Sequence, residues 1–266
     1  MNKIPIVVSI AGSDSSGGAG VQADIKTISA LRGYAATVIT ALTAQNTRTV
    51  SHVEAVSADM LHAQWKAIES DLSVDAIKIG MLFNSVLIGV VSRMLPSNIP
   101  IVLDPVMVSQ QGAQLLQETA VNALTQQLFS RATLITPNIP ESELLLGMKI
   151  KNQSDMSQAA SSLGETYQTS VLVKGGHLPA LMGMDVLYYF PDQQCHWFSS
   201  PRIHTRHTHG TGCTLSSAIA TYLAYGSTVL EAVEQGKAFL TEALCFADQL
   251  SVGLGDGPVH HFYRWS

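Results

Sequence analysis

Charge is scarce in this sequence. Asp, Glu, Lys and Arg make up 13% of its 266 residues, against roughly 25% in an ordinary globular domain. A surface that poor in charge is expected to be covered in part by a second copy of the chain. The net charge is −5 with a pI of about 5.9, and no basic tract or basic–aromatic alternation occurs, so nucleic acid is not an expected partner. Cysteine is also rare. Cys195, Cys213 and Cys245 are odd in number and lack C-x-x-C spacing, which leaves no complete disulfide framework and suits free thiols in a reducing compartment. No uninterrupted apolar run reaches the ~18 residues of a membrane span. The apolar start MNKIPIVVSIAGS ends near residue 11, too early for a signal peptide of about 15–30 residues. A cytoplasmic location with no membrane partner is expected. A P-loop is disfavoured, because G-x-x-x-x-G-K-[ST] does not occur.

What is present is an alternation of short β-branched runs with amphipathic segments. Strands are predicted over 4–12, 35–42, 75–81, 99–104, ATLITP and TSVLVKG, with a hairpin around Pro191-Asp192. Between them, Val21, Ile25, Ile28 and Leu31 recur at helical spacing with Gly33 placed to end the helix. Ser57 is an expected N-cap, and Pro96 a stop. Further helices are predicted over 117–130, 140–147, 154–167, 213–225 and 228–250. Such alternation implies an α/β three-layer sandwich, a central mostly parallel sheet flanked by helices. With no repeat or linker, residues 1–266 read as a single domain. Ligands of such sheets bind beyond the C-terminal strand ends, which singles out GSDSSGGAG, TAQN, GM, DPVM, TPNIPE and KGGH.

Two glycine loops could approach a phosphate. In the first, Gly18-x-Gly20-x-x-Ala23 matches the dinucleotide fingerprint on paper. It stands about six residues beyond the strand, where that fingerprint needs a tight turn. The second strand also leads to Gln45 where an acid would meet the ribose. The second loop, HTHGTGCT at 207–214, precedes an apolar helix. Unpaired amides and the helix dipole make such a start an anion cradle, and Gly210 and Gly212 leave room for the anion. A glycine-rich helix entry without a ligand is the other reading. His204, His207 and His209 match no usual zinc spacing.

Cys213 is expected at the helix start, where a thiol pKa is lowered. It is then a covalent nucleophile, a general base for a substrate hydroxyl, or a small packing residue; a Cys/His/Asp arrangement with His209 lacks an identified third group. Asp104 and Glu141 follow strong strands and suit Mg²⁺ held directly or through water. Lys174 reaches the same crevice. Cations, a divalent metal and a helix start converging on one anion are what phosphoryl transfer requires.

These residues occur within AGSDSSGGAGVQADIKT, VITALTAQNT, KIGML, VLDPVM, LITPNIPE, VLVKGGH, HTHGTGCTLSSAIA and GPVHHF, which follow one another along almost the whole chain. The set closely resembles the hydroxymethylpyrimidine and hydroxymethylpyrimidine-phosphate kinases of thiamine biosynthesis, in the ribokinase-like group. The resemblance implies ATP as co-substrate, Mg²⁺ and a homodimer. It implies a pyrimidine pocket lined by Gly12, Asp24 and Gln45, with Met81 and Val108 as apolar walls. Asp104 and Glu141 would organise Mg²⁺ through water, and Asn138, Lys174 and Thr208 would serve ATP. Gly210, Thr211, Gly212 and Cys213 would form the anion hole and base. Most of the wider group carries Asp at that last position, so Cys213 points to the pyrimidine branch. A pyridoxine or pyridoxal kinase of the same fold is the alternative enzyme, and a non-catalytic pyrimidine-binding regulatory protein the alternative of another class.

Overall fold

A computed structural model describes residues 3–107, 118–176 and 183–265. The strands are β1 (Ile6–Asp14), β2 (Tyr34–Gln45), β3 (Val50–Ala55), β4 (Ala76–Ile79), β5 (Ile101–Leu103), β6 (Leu134–Ile135), β7 (Ser170–Lys174), β8 (Met184–Tyr189) and β9 (Gln194–Ser199). They form one nine-stranded sheet in the order β3-β2-β1-β4-β5-β6-β7-β8-β9. The six strands from β2 to β7 are parallel, and β3, β8 and β9 pair antiparallel at the two edges. Helices α1 (Gly20–Ala30), α2 (Ala58–Glu69), α3 (Ser85–Met94), α4 (Glu118–Gln127), α5 (Ile139–Leu146), α6 (Gln153–Tyr167), α7 (Thr211–Ala224) and α8 (Val229–Cys245) complete the chain.

The central strands are apolar on both faces, and their side chains alternate between two cores. Val8, Ile10, Ile77, Ile79, Ile101, Leu103, Ile135, Val171 and Val173 point to one layer, against α2, α3, α4 and α6. Val7, Ala76, Val102, Leu134 and Leu172 point to the other, against α1, α7 and α8. The hydrophobic pattern thus fixes the register, since a one-residue slip would exchange the two faces.

Two expectations need correction. Val50–Ala55 is a strand that periodicity did not single out; as an edge strand it is half exposed and carries Ser, His and Glu. Its pairing with residues 41–45 carries β2 through to Gln45, beyond the expected end at 42. Gly33 does not supply the left-handed residue after α1. Arg32 does, at φ 65°, while a Cβ on Gly33 would meet Ile28 Cγ2 at 2.9 Å, so that glycine serves close packing.

Helix α6 packs closely on β8. A Cβ on Gly164 would lie 2.1 Å from Tyr188 Cδ1, and Tyr188 is 3% exposed. Gly164→Ala is therefore expected to lower stability by about 1–3 kcal/mol, the usual cost of overpacking, read from the urea midpoint at unchanged m-value.

Candidate active site

Five helices are capped at their N-termini by a side chain: α2 by Ser57, α3 by Asn84, α5 by Asn138, α6 by Asn152 and α8 by Thr228. Helices α1 and α7 have Ala19 and Gly210 at that position and no side-chain cap. These two starts meet at the C-terminal ends of the parallel strands. Gly210 adopts φ 81°, and a Cβ on it would lie 1.9 Å from the Gly18 carbonyl oxygen. A Cβ on Gly18 would in turn lie 2.2 Å from His209 Cδ2. The two glycine loops therefore touch backbone to backbone, and side chains on either would force them apart.

Asp14, at the end of β1, organises the first loop. Its Oδ1 accepts from the Ser16 amide (2.8 Å) and hydroxyl (2.7 Å), and its Oδ2 from the Gly18 (3.0 Å) and Ala19 (2.8 Å) amides. His209 Nε2 lies 2.8 Å from the same Oδ2. Burial pushes the carboxyl pKa up, but the His209, Ser16 and Ala19 hydrogen bonds overcome it and hold the value near about 2. His209 thus belongs to Asp14, so the Cys/His pairing considered for Cys213 is not formed. Nor do the three loop histidines converge. His204 is exposed, and His207 Nε2 lies 3.8 Å from Asp248.

Above the start of α7 sits the pair Asp104–Lys174, with Lys174 Nζ 2.8 Å from Asp104 Oδ1. Thr136 Oγ1 donates to the same oxygen at 3.1 Å. A Cβ on Gly212 would lie 3.2 Å from Asp104 Oδ2 and 3.5 Å from Lys174 Nζ. The absent side chain thus leaves a small space between the bare helix start, a cation and a carboxylate. Among the described residues, no protein acceptor takes the Gly212 or Cys213 amide. Burial raises the Glu141 pKa to about 7, helped by Asp104 and opposed by Lys174 and by the Asn138 and Met107 amides. Glu141 also completes the capping box of α5, accepting from the Asn138 amide at 2.8 Å while Asn138 Oδ1 accepts from the Glu141 amide at 2.9 Å.

Beneath the same helix start lies a network that sequence reasoning missed. Lys78, fully buried in β4, donates to both oxygens of Asp24 at 2.9 Å. Ser9 (2.5 Å) and Ser217 (2.7 Å) donate to the same carboxylate. Asp24 is 0% exposed, so in this structure its carboxylate does not open onto the surface of a pocket. Its oxygens are taken up by Lys78, Ser9 and Ser217. Ser217 is one turn beyond Cys213 on α7, so the thiol sits over this network. The expected depression of the Cys213 pKa is also corrected. Burial drives it up to about 11; Lys78 and the Gly20 amide pull it down, and Asp24 and Asp104 push it further up. The signal available in the sequence was a lone lysine inside the buried run AIKI.

Of the remaining expected site residues, Gln45 is half-buried where the two loops meet. Its Oε1 accepts from Thr43 Oγ1 at 3.2 Å, and its Nε2 stands 3.5 Å from His209 Nε2. Gly12 makes room for Met81, whose Cε would be 2.4 Å from a Cβ there. The Thr208 carbonyl accepts from the Thr211 amide at 3.3 Å. Val108 lies outside the described residues. The segment 202–207 that leads into the turn borders, with Asp248, an open cleft of about 610 Å³.

A parallel sheet whose strand ends bring two acids, a lysine and a bare helix start together is the arrangement of a phosphotransferase acting on a small molecule. The model of the family described as phosphomethylpyrimidine kinase matches residues 14–260. The hydroxymethylpyrimidine/phosphomethylpyrimidine kinase of Rhizobium meliloti (strain 1021) is 48% identical over 262 residues, 98% of each chain. The crystal structure of a phosphomethylpyrimidine kinase from Clostridium difficile 630 matches with a TM-score of 0.78 at 40% identity, over 91% of this chain and 100% of that one. The pyridoxal kinase of Staphylococcus aureus in complex with ADP matches with a TM-score of 0.90 at 32% identity, over 99% and 96%. This chain belongs to the phosphomethylpyrimidine kinase family.

The buried pair under α7 sets a stability prediction. Lys78→Met leaves Asp24 charged and unpaired in the interior and is expected to cost about 3–5 kcal/mol. Adding Asp24→Asn should recover a large part of that loss. Urea denaturation of the single and double variants measures both, and equal loss in the two would contradict the pairing.

Proposed function

We propose that this chain transfers the γ-phosphoryl group of ATP to the hydroxymethyl oxygen of 4-amino-5-hydroxymethyl-2-methylpyrimidine, and then a second one to the resulting monophosphate. The observation that carries this reading is the space at Gly212, bounded by unbonded amides, Lys174 and Asp104. A phosphoryl group in flight spreads negative charge over three oxygens, and preorganised amides with a nearby ammonium stabilise that charge.

In this reading Gly210, Thr211, Gly212 and Cys213 receive the transferred group. Lys174, Asn138 and Thr208 serve the ATP phosphates, and the cleft along 202–207, bearing Arg202 and Arg206, takes the rest of the nucleotide. Gln45 offers a donor and an acceptor to the pyrimidine edge, with Gly12 and Met81 beside it. Asp104 and Glu141 fit Mg²⁺. Burial first, and then the Asp104 charge, disfavour an ionised Glu141, and a nearby divalent cation would offset both. Among the described residues no three candidate ligands converge, which favours holding the ion through water. Mg²⁺, when bound, would neutralise phosphate charge. The chain would work as one domain, in the cytoplasm, as a homodimer. The low charge content and the edge strand β3 support the last point. No helix of the described residues is long and apolar enough to cross a membrane.

The substrate hydroxyl must lose a proton as its oxygen attacks. In this reading Cys213 accepts it, with Lys78 and the Gly20 amide favouring the thiolate against burial. At neutral pH the buried thiol is mainly protonated, so the competent fraction grows as pH rises. Turnover should increase with pH above 7 and the increase should vanish in Cys213→Ala, with kcat lower by about 10²–10⁴-fold, the span of general-base loss. Near-normal turnover in that variant would reduce Cys213 to packing.

The fold alone does not separate a pyrimidine from a pyridoxal substrate, since pyridoxal kinases superpose closely. Sequence does favour the pyrimidine, because the curated relatives of that name are 40–48% identical and the pyridoxal kinase structures 31–33%. The pyrimidine is expected to have the higher kcat/KM in steady-state assays with Mg-ATP. A preference for pyridoxine of about tenfold or more, some 1.4 kcal/mol of transition-state binding, would overturn the choice.

A further inference from the structure

The residues after α8 form little regular structure, yet segment 253–261 fastens three parts of the site. At the β2–β3 hairpin, the Gly255 amide donates to Thr47 Oγ1 at 3.0 Å and the Asp256 amide to the Thr47 carbonyl at 3.0 Å. Gly253 and Gly255 both lie in close contact with Thr47, with a Cβ on Gly255 falling 2.0 Å from the Thr47 carbonyl oxygen. At the turn, the His209 amide donates to the Gly257 carbonyl at 3.0 Å, and His209 and Pro258 form a parallel bridge. At the first turn of α7, His261 Nε2 lies 3.0 Å from Thr214 Oγ1. Val259 is 1% exposed and packs with Ala218, Phe239 and Ala243, while the His260 amide donates to the Ala243 carbonyl at 3.0 Å. The position of His261 is thus fixed from both sides.

We propose that His261 is a positioning residue for the phosphoryl-binding turn, acting through the Thr214 hydroxyl on the Gly210 peptide; this rests on the reading of that turn given above. The Gly210 carbonyl accepts from the Thr214 amide at 2.9 Å and from the Thr214 hydroxyl at 2.8 Å. A hydroxyl has one proton. With that proton on the Gly210 carbonyl, the Thr214 oxygen is left as acceptor, and His261 Nε2–H is its donor. A helical threonine has two accessible χ1 wells, of which only some positions allow this back-bond. The ring of His261 selects the bonded one. Burial, with Lys26 and His260 adding to it, lowers the His261 pKa to about 3, so the ring is neutral near pH 7 and contributes direction, not charge. Gly210, whose carbonyl it steadies, has a left-handed φ of 81° and stands at the N-cap of α7, directly before the residues whose amides take no protein acceptor among the described residues.

The test is a double-mutant cycle with a conservative rescue. His261→Leu and Thr214→Val are each expected to lower kcat about ten- to a hundredfold, as a displacement on the order of 1 Å in a reacting geometry does. KM for the pyrimidine should stay within about twofold. The double variant should lose no more than Thr214→Val alone, because one acts through the other. His261→Gln, which can place an N–H near the Nε2 position, should restore a large part of kcat. Gly212→Ala, whose added methyl would occupy the space beside Asp104 and Lys174, checks the turn itself and should abolish turnover. Loss of thermal stability in His261→Leu with kcat within about twofold of wild type, while Gly212→Ala is inactive, would overturn the role of His261 alone. Full turnover in Gly212→Ala would overturn the reading of the turn and this inference with it. Additive losses in the double variant would show that His261 does not act through Thr214.

Discussion

The start of α7 must be rigid and bare at once. Helix starts are ordinarily closed by a side chain that takes up the free amides, and five helices of this chain follow that rule. At α7 no side chain caps the start, and among the described residues the Gly212 and Cys213 amides take no protein acceptor, so the rigidity has to come from elsewhere. It comes from Gly18 pressed on Gly210, from Asp14 gathering both His209 and the first loop, and from the C-terminal segment behind the turn. The glycines do not confer looseness here. They allow two backbones to meet where a Cβ would collide.

Charge around this helix start is arranged in two tiers. Asp104 and Lys174 flank the open side; Lys78 and Asp24 lie buried below. Each cation is held by a carboxylate, so neither is a bare buried charge of the kind that costs most. The lower pair bears on Cys213 in opposite senses, Lys78 favouring the thiolate and Asp24 opposing it. Burial outweighs both, which is why the sequence-based expectation of a lowered thiol pKa failed. The helix dipole lowers a thiol pKa, but the desolvation of a half-buried sulfur set among protein groups raises it by more.

The layered fold was legible because parallel strands buried on both faces leave near-continuous apolar runs, and because hairpin and cap residues such as Ser57 sit where their chemistry requires. The strand Val50–Ala55 was not, since a half-exposed edge strand with polar residues looks like a loop. Of the site, Asp104, Lys174, Gly212 and Cys213 do come together, because each stands at a strand or helix end. Asp24 is legible in the sequence as an acid after the first glycine loop but not as one already hydrogen-bonded inside the protein; its partners Lys78, Ser9 and Ser217 come from three other elements. The pairing of His209 with Asp14, and of His261 with Thr214, spans long stretches of chain that no local pattern joins.

The central claim is that the open amides of α7 receive the migrating phosphoryl group while the thiol faces the attacking alcohol. A crystal structure of the protein with the hydroxymethylpyrimidine, ADP, Mg²⁺ and a planar fluoride mimic of PO₃ measures this directly. The account predicts the mimic within about 2.7–3.2 Å of the Gly212 and Cys213 nitrogens, with the hydroxymethyl oxygen on its far side next to the Cys213 sulfur. A mimic bound elsewhere, with those two amides bonded to the protein itself, would contradict it.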